Sequence, residues 1–491
     1  MNLAEHVLAA GTACPDKLAL SVIGTSRASR WSYGKLTAAV RGCATGLLQA
    51  GLHPQDRVLM RLGNHASFPI AFLGALTAGL VPIPTSAQLT HREISKIAAQ
   101  TRPRLIIAGK DIALPDSPAR VITEAEIAAF ADLPPADYHQ GDAERLAYII
   151  FTSGSSGSPR AVMHAHRSIL ARQMMFKGWY DLRREDRLMH AGAFNWTYTL
   201  GTGLMDPWTV GATALVPAEG TRPEQLGLLA ARHGATILAA APGIFRKLLR
   251  ADWPAITTLR HGLAAGERLD PALREAWQAR TGTDLHEAMG ASEISTFISG
   301  SPDRPAPIGT AGYAQTGRRV AILAPSGNPL PAGQPGSLAI DRNDPGLFLG
   351  YLDQPEDTAA RFRGDWFVTG DHAVADTDGA ITLLGREDDI MNAGGFRVAP
   401  AEIEEVISRH PAAGDVAAAE LQVGPATSII ALFWTGTAPR EELQRLAESE
   451  LARYKQPREY RRLDALPRTA TGKINRRALR QAFGEQQHDN S

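Results

Sequence analysis

The chain has 491 residues, too many for one compact hydrophobic core, so two or more domains are expected. Its 51 basic residues balance 51 acidic ones, which leaves no electrostatic footprint for nucleic acid and directs attention to small-molecule partners. The only two cysteines, Cys14 and Cys43, make neither a disulfide framework nor a metal-ligand spacing, and they fit a reducing compartment, the cytoplasm.

The opening "MNLAEHVLAAGTACPDK" carries an acid where a secretory signal wants positive charge and lacks a sustained apolar core, so no export signal is expected. From about residue 30, short apolar β-type runs alternate with amphipathic ones: "RVLMRL", "HASFPIAFLGALTAG", "LVPIP", and later "ATILAAA" followed by "GIFRKLLR". This is the pattern of layered α/β structure. The most membrane-like stretch, residues 66–84, is interrupted by Pro69, Pro82 and Pro84 and reads as a buried helix followed by a buried strand, with no membrane span.

Residues 146–151, "LAYIIF", and 161–164, "AVMH", read as buried strands, with a helix-like "RSILARQMMF" after them. Between the strands lies "TSGSSGSPR", residues 152–160. Such a loop is either a surface connector or a phosphate cradle, in which glycines admit a ligand to the backbone and N–H and hydroxyl groups converge on anionic oxygens. It ends in Ser-Pro-Arg before a strand, so it is not the common Gly-Lys-Ser/Thr nucleotide loop, and it contains no Gly-x-Ser-x-Gly nucleophile elbow. His164 and His166 form a His-x-His without a third ligand in view, and a structural role is expected for both. The mixed-sign run "RREDR", 183–187, reads as a solvated turn.

After "TGDHAVADTDGAITLLGREDD" the texture changes to a compact unit. It holds a helix "PAEIEEVISRH" with Pro400 at its start and acids in its first turn, then strands, then a second helix "REELQRLAESELARY". A domain boundary is expected at residues 385–389, giving domains 1–386 and 387–491.

Chemistry-bearing residues are concentrated in four further stretches: "MGASEIS" with Glu293, "WFVTGD" with Asp371, "GREDDIMNAGGFR" with Arg386, Asp388 and Arg397, and "LPRTATGKINR" with Lys473. Together with the glycine loop, in this order, they resemble the adenylate-forming enzymes that include acyl- and aryl-CoA synthetases. The stretch "FNWTYTLGTGLMDPWTVGATAL" and the "MGASEIS" motif are most similar to benzoate-type CoA ligases. The resemblance implies an α/β fold, with a large multi-sheet N-terminal adenylation domain and a small mobile α+β C-terminal domain. It implies ATP, Mg²⁺ and coenzyme A as the reaction's companions and a small carboxylic acid as substrate.

Under that resemblance, Thr152, Ser153, Gly154, Ser155, Ser156 and Gly157 surround the outer phosphates of ATP, with Arg160 where the family usually has lysine. Glu293 is the Mg²⁺ carboxylate, since a hard dication on ATP oxygens needs few protein oxygens. Asp371 bridges the ribose diol, because one carboxylate has two acceptor oxygens. Ala265, Gly266 and Glu267, with Met289, form the adenine pocket, although plain core packing accounts for Met289 nearly as well, and Gly290 and Ser292 are further cofactor-binding positions. Arg386 and Arg397 contact ribose or phosphate, Asp388 is the hinge, and Gly395 lets the chain approach the pantetheine arm. Asn392 stands where many relatives carry lysine. His190, Asn195, Trp196 and Tyr198 line the acid pocket, and a buried core would also explain the aromatics. Lys473, on a loop with a glycine before it, is the cation of the adenylation step.

The reading is an ATP-dependent carboxylate–CoA ligase. A related alternative loads an aryl or other acid onto a carrier protein; the amino-acid version is disfavoured because Asn195 and Trp196 stand where an aspartate would meet a substrate ammonium. An inert nucleotide sensor is the alternative from another class, and retention of both Glu293 and Lys473 speaks against it.

Overall fold

The computed structural model describes residues 1–152, 160–386, 389, 391–393, 396–424, 427–451, 453–469 and 472–484. The chain divides into two compact units: one of Met1–Arg319 with Asp341–Asp365, the other of Val320–Ile340 with Trp366–Ser491.

The larger unit is built on a nine-stranded sheet among the described residues. Its centre is parallel, running through Leu285–Ala291, His261–Ala265, Ile237–Ala240, Arg187–His190, Thr213–Pro217 and Leu18–Ile23. Antiparallel strands close it at each end, Ser295–Ser299 on one side and Ala28–Ser32 on the other. The central strands read as unbroken apolar runs because helices cover both faces of a parallel sheet, and Ile237–Ala240 is buried at every position. A second, parallel sheet of Val81–Pro84, Arg57–Arg61, Leu105–Ala108 and Arg120–Thr123 packs on the antiparallel hairpin of Leu146–Thr152 and Arg160–Ala165. The helix Ser67–Thr77 is buried along nearly its whole length, as its apolar sequence requires, and the strand Val81–Pro84 follows it. No helix among the described residues is long and apolar enough to cross a membrane.

Two local expectations differ from the structure. The helix after the hairpin covers only Ser168–Arg172 and gives way to a π-type turn, Phe176–Tyr180, which carries Trp179 and Tyr180 into the core. The "RREDR" run is not wholly solvated: Asp186 is buried, both its oxygens lie 2.8 Å from Arg260 Nη1, and the Thr236 hydroxyl donates to it at 2.7 Å.

The core also holds an ion pair. Arg172, only 6% exposed, donates from Nε to Asp206 Oδ1 at 2.7 Å and from Nη2 to Oδ2 at 2.6 Å, and Asp206 is fully buried. The Tyr180 hydroxyl donates to Asp206 Oδ2 at 2.8 Å. Burial works against the guanidinium charge, but the Asp206 carboxylate outweighs it and holds Arg172 ionised. Nη1 of Arg172 donates to the Ser295 hydroxyl, and Ser295 adopts a left-handed φ of 72°. Gly201 lies so close under the guanidinium that a Cβ there would sit 2.1 Å from Arg172 Cζ.

In the smaller unit, Val320–Leu323 pairs antiparallel with Gly336–Asp341, and Trp366–Ala375 with Ile381–Arg386. A three-stranded sheet follows, of Val416–Gly424, Thr427–Trp434 and Glu459–Arg462. Val416–Gly424 shows the two-residue period of a strand covered on both faces: Val416 and Ala418 meet Ile403, Ile407 and Leu443, whereas Ala417, Ala419 and Leu421 meet Leu479. Pro400 opens the helix Pro400–Ser408, and Arg440–Glu450 is the second helix, as the texture of the sequence indicates. Arg476 ties this layer together with bonds of 2.6 and 2.8 Å to the two oxygens of Glu404, which also accepts from the Ala418 amide.

Two predictions follow from the larger unit's interior. Removing one partner of a buried, fully hydrogen-bonded pair leaves an uncompensated charge, so Asp206→Ala should cost about 3–5 kcal/mol. The paired change Arg172→Met with Asp206→Leu should cost less than the single one, read from the denaturant midpoint of the larger unit. Burial pushes the Glu287 carboxyl up to about 7, even though the Leu269 amide donates to it at 3.0 Å. The folded chain therefore keeps a proton that the unfolded chain releases near its ordinary value of about 4.3. This contribution to stability is complete below that value and is lost as pH rises to about 7. Glu287→Gln, which retains the acceptor for Leu269, should flatten the fall in midpoint between pH 5 and pH 8.

Candidate active site

In the larger unit the candidate residues gather where parallel strands end. His190 closes Arg187–His190, Ala265 closes His261–Ala265, and Met289 lies near the end of Leu285–Ala291, with Ala265 in register with Ala288. Open α/β sheets offer their ligand crevices along this carboxyl edge.

Tyr198 and His190 are buried and packed edge to face, ring centres 4.3 Å apart, and Trp179 stacks on Tyr198 at 5.8 Å. The Tyr198 hydroxyl donates to the Leu263 carbonyl at 2.9 Å, which fixes the ring against the strand. Burial pushes His190 down to about 3, so its imidazole is neutral, and among the described residues neither ring nitrogen has a hydrogen-bond partner. Trp196, half-buried, stands perpendicular to Tyr198 at 5.4 Å, and Asn195 beside it is also half-buried. Gly266 has φ +97°, and a Cβ there would sit 2.9 Å from the Trp196 indole. Residues 265–267 and the turn at 195–197 therefore meet at one contact. Glu267 reaches Arg246 at 3.5 Å.

Met289 is half-buried and Gly290 exposed, with a register shift between them as the strand turns back through Ser292 and Glu293 to Ser295–Ser299. At Gly290 a Cβ would collide with the Ser295 backbone at 2.5 Å, so this turn needs a glycine.

The hairpin register sets Thr152 opposite Arg160 and spans the gap with residues 153–159. The connection between two strands is thus as the sequence indicates; Ser153, Gly154, Ser155, Ser156 and Gly157 lie outside the described residues. The Arg160 guanidinium sits over the Tyr351 ring, 5.1 Å from its centre, and the Tyr351 hydroxyl donates to Glu293 Oε1 at 2.7 Å. Tyr351 was not among the residues the motifs single out. Its partner is 58 positions away in the chain, and no local spacing signals such a pairing. His166 is buried and accepts the Leu3 amide at 3.0 Å on Nδ1, and His164 stacks on Tyr148 at 4.8 Å, pushed down by burial to about 4. Both act within the core.

In the smaller unit, Asp371 and Arg386 meet across paired strands: Arg386 Nη1 donates to Asp371 Oδ1 at 3.3 Å and to the Thr369 carbonyl at 3.0 Å. The Thr369 hydroxyl accepts the Asp371 amide at 3.1 Å. Arg397 pairs through its backbone with Asn392, and neither side chain is described. Asp388 and Gly395 lie outside the described residues. Lys473 is exposed on a tight turn, where its carbonyl accepts the Thr469 amide at 2.7 Å and Gly472 has φ +89°.

A family model described as AMP-binding enzyme matches residues 8–352, and its companion, AMP-binding enzyme C-terminal domain, matches 402–473. The chain is 30% identical to the 3-hydroxybenzoate–CoA/4-hydroxybenzoate–CoA ligase of Thauera aromatica, covering 91% of each. It is 29% identical to the mitochondrial acyl-coenzyme A synthetase ACSM2B of Homo sapiens, covering 96% of this chain and 88% of that one. The crystal structure of a benzoate CoA ligase from Burkholderia xenovorans superposes with a TM-score of 0.86 at 26% identity, over 98% of this chain and 100% of the other. A large domain, a smaller C-terminal domain and these matches along nearly the whole length have one common reading: the chain belongs to the AMP-binding, adenylate-forming enzymes, as an AMP-forming acid–thiol ligase.

Proposed function

We propose that this ligase activates a compact acid, aromatic or short-chain, and that coenzyme A rather than a carrier protein receives the acyl group. The observation that carries the acid class is the wall of Trp196, Tyr198, His190 and Trp179, closed at one side by the contact of Trp196 with Gly266. A flat ring or a short chain fits beside such a wall, while a long acyl tail needs the volume the indole fills. Relatives named for hydroxybenzoates and benzoate support the same class and the same acceptor.

The reaction needs a carboxylate oxygen to attack the α-phosphorus of ATP and expel pyrophosphate; the thiol of coenzyme A then attacks the acyl carbon and AMP leaves. In the first step the outer phosphates must be held while negative charge builds at phosphorus. Thr152 and Arg160, at the two ends of the glycine loop, supply a hydroxyl and a cation for that task. The half-buried Glu293 carboxylate, with Oε1 engaged by Tyr351, suits a magnesium ion, which takes one or two protein carboxylates and keeps the rest of its shell for phosphate and water. When bound, that ion neutralises phosphate charge. Asp371, braced by Arg386 and by Thr369, is proposed to accept the ribose hydroxyls. Two unpaired cysteines agree with a cytoplasmic setting.

The acid class is tested by offering mixed carboxylates with MgATP and coenzyme A and identifying the thioesters by mass spectrometry. Benzoate-like and short acids should lead, and a clear preference for palmitate would overturn the assignment. Lys473 is proposed to serve the first half-reaction alone, offsetting charge at the acid and α-phosphate, with the C-terminal domain turning between steps from a hinge at Asp388. Losing one such preorganised donor costs about 3–4 kcal/mol, roughly a hundred- to a thousandfold in rate. Lys473→Ala should therefore lose pyrophosphate release, yet convert supplied acyl-adenylate and coenzyme A to thioester at a rate near the parent's. Equal loss in both half-reactions would refute a role confined to one.

A further inference from the structure

Beyond the roles already assigned to Glu293 and Arg160, on which this rests, one buried aromatic residue touches both. Tyr351 is 2% exposed and lies on the two-residue strand Gly350–Tyr351, paired with Arg160–Ala165 so that Tyr351 faces Val162. The flanking amides continue the attachment: Leu349 donates to Met163 and Leu352 to Ala161, at 2.8 and 2.9 Å. On its other side the same short segment grips the turn of Glu293, whose backbone carbonyl accepts the Phe348 amide at 2.8 Å and whose carboxylate accepts the Tyr351 hydroxyl at 2.7 Å. The Thr358 hydroxyl accepts the Tyr351 amide at 2.9 Å and fixes the strand from behind.

The chemistry of these contacts is directional. The phenol O–H donates and the carboxylate oxygen accepts, so the bond runs from Tyr351 to Glu293. One oxygen of Glu293 is thereby engaged and the carboxylate's rotation is restricted. The planar Arg160 guanidinium lies over the same ring, a placement that an aromatic face favours and that orients the cation without consuming its donors.

We propose that Tyr351 is a positioning residue for metal–nucleotide binding, its hydroxyl fixing the Glu293 carboxylate toward magnesium and its ring seating Arg160 at the base of the glycine loop. Groups that orient a metal-binding carboxylate change metal affinity by about 10- to 100-fold when removed. Tyr351→Phe keeps the ring and deletes only the donor.

The test is calorimetric titration of ATP into the full-length protein, in EDTA and at graded Mg²⁺, so that no turnover is needed. In Tyr351→Phe the half-saturating Mg²⁺ should rise about 10-fold or more, with metal-free ATP affinity and the thermal midpoint near the parent's. Adding Tyr351→Phe to Glu293→Gln should change nothing further, since the phenol acts through that carboxylate. A parental Mg²⁺ requirement in Tyr351→Phe, equal loss of ATP binding with and without metal, or an undiminished effect in the Glu293→Gln background would each overturn the proposal while leaving the ligase assignment standing. A parent that binds no ATP at any Mg²⁺ concentration would overturn the assigned roles of Glu293 and Arg160, and this inference with them.

Discussion

The Arg172–Asp206 ion pair is the constraint on which the larger unit's site depends. Two charges deep in an apolar interior are tolerated only because the bonding is bidentate and the remaining lone pairs are taken up, here by Tyr180. Asp206 opens the helix Asp206–Val210, and Arg172 ends the helix that follows the hairpin. Through the Ser295 hydroxyl the same guanidinium holds the turn carrying Glu293, in a backbone conformation that a serine does not favour unaided. One cation thus joins three segments far apart in sequence, and one of them carries Glu293.

Around that anchor the site is economical in its use of secondary structure. Strand ends present Ala265 and Ala288 side by side, and a two-stranded hairpin sets Thr152 opposite Arg160. The two-residue strand at Tyr351 connects the hairpin to the Glu293 turn. In the smaller unit the Asp371 carboxylate is likewise held in place, by a cross-strand arginine, while a neighbouring hydroxyl accepts its amide. Rigid elements with short connections suit a reaction in which positioning and preorganised charge supply most of the acceleration.

Local regularities made much of this legible in the sequence. The apolar runs that became Leu146–Thr152 and Ile237–Ala240, the proline-initiated helix Pro400–Ser408 and the buried helix Ser67–Thr77 follow from period, length and end signals. Residues that sit in compact motifs, such as Glu293 and Asp371, stand out for the same reason. Pairings across the chain do not. Nothing near Asp186 indicates that Arg260 will neutralise it in the core, so a charge run that looks solvated conceals a buried carboxylate. Tyr351 is hidden likewise, since a tyrosine in an apolar run has many possible neighbours. The helix after the hairpin stops early because Trp179 and Tyr180 reach the core through a π-type turn, a tertiary demand that local helix preference cannot anticipate.

The glycine beneath the buried guanidinium limits which parts of the larger unit can vary. At Gly201 even one methyl group would overlap Arg172, so variation there is vetoed by the buried ion pair. The half-buried turn at residues 195–197 carries no such veto, because its side chains are not committed to the ion pair. Substitutions should therefore be tolerated more readily in that turn than at Gly201 and Asp206, which the buried guanidinium holds to their present size and charge.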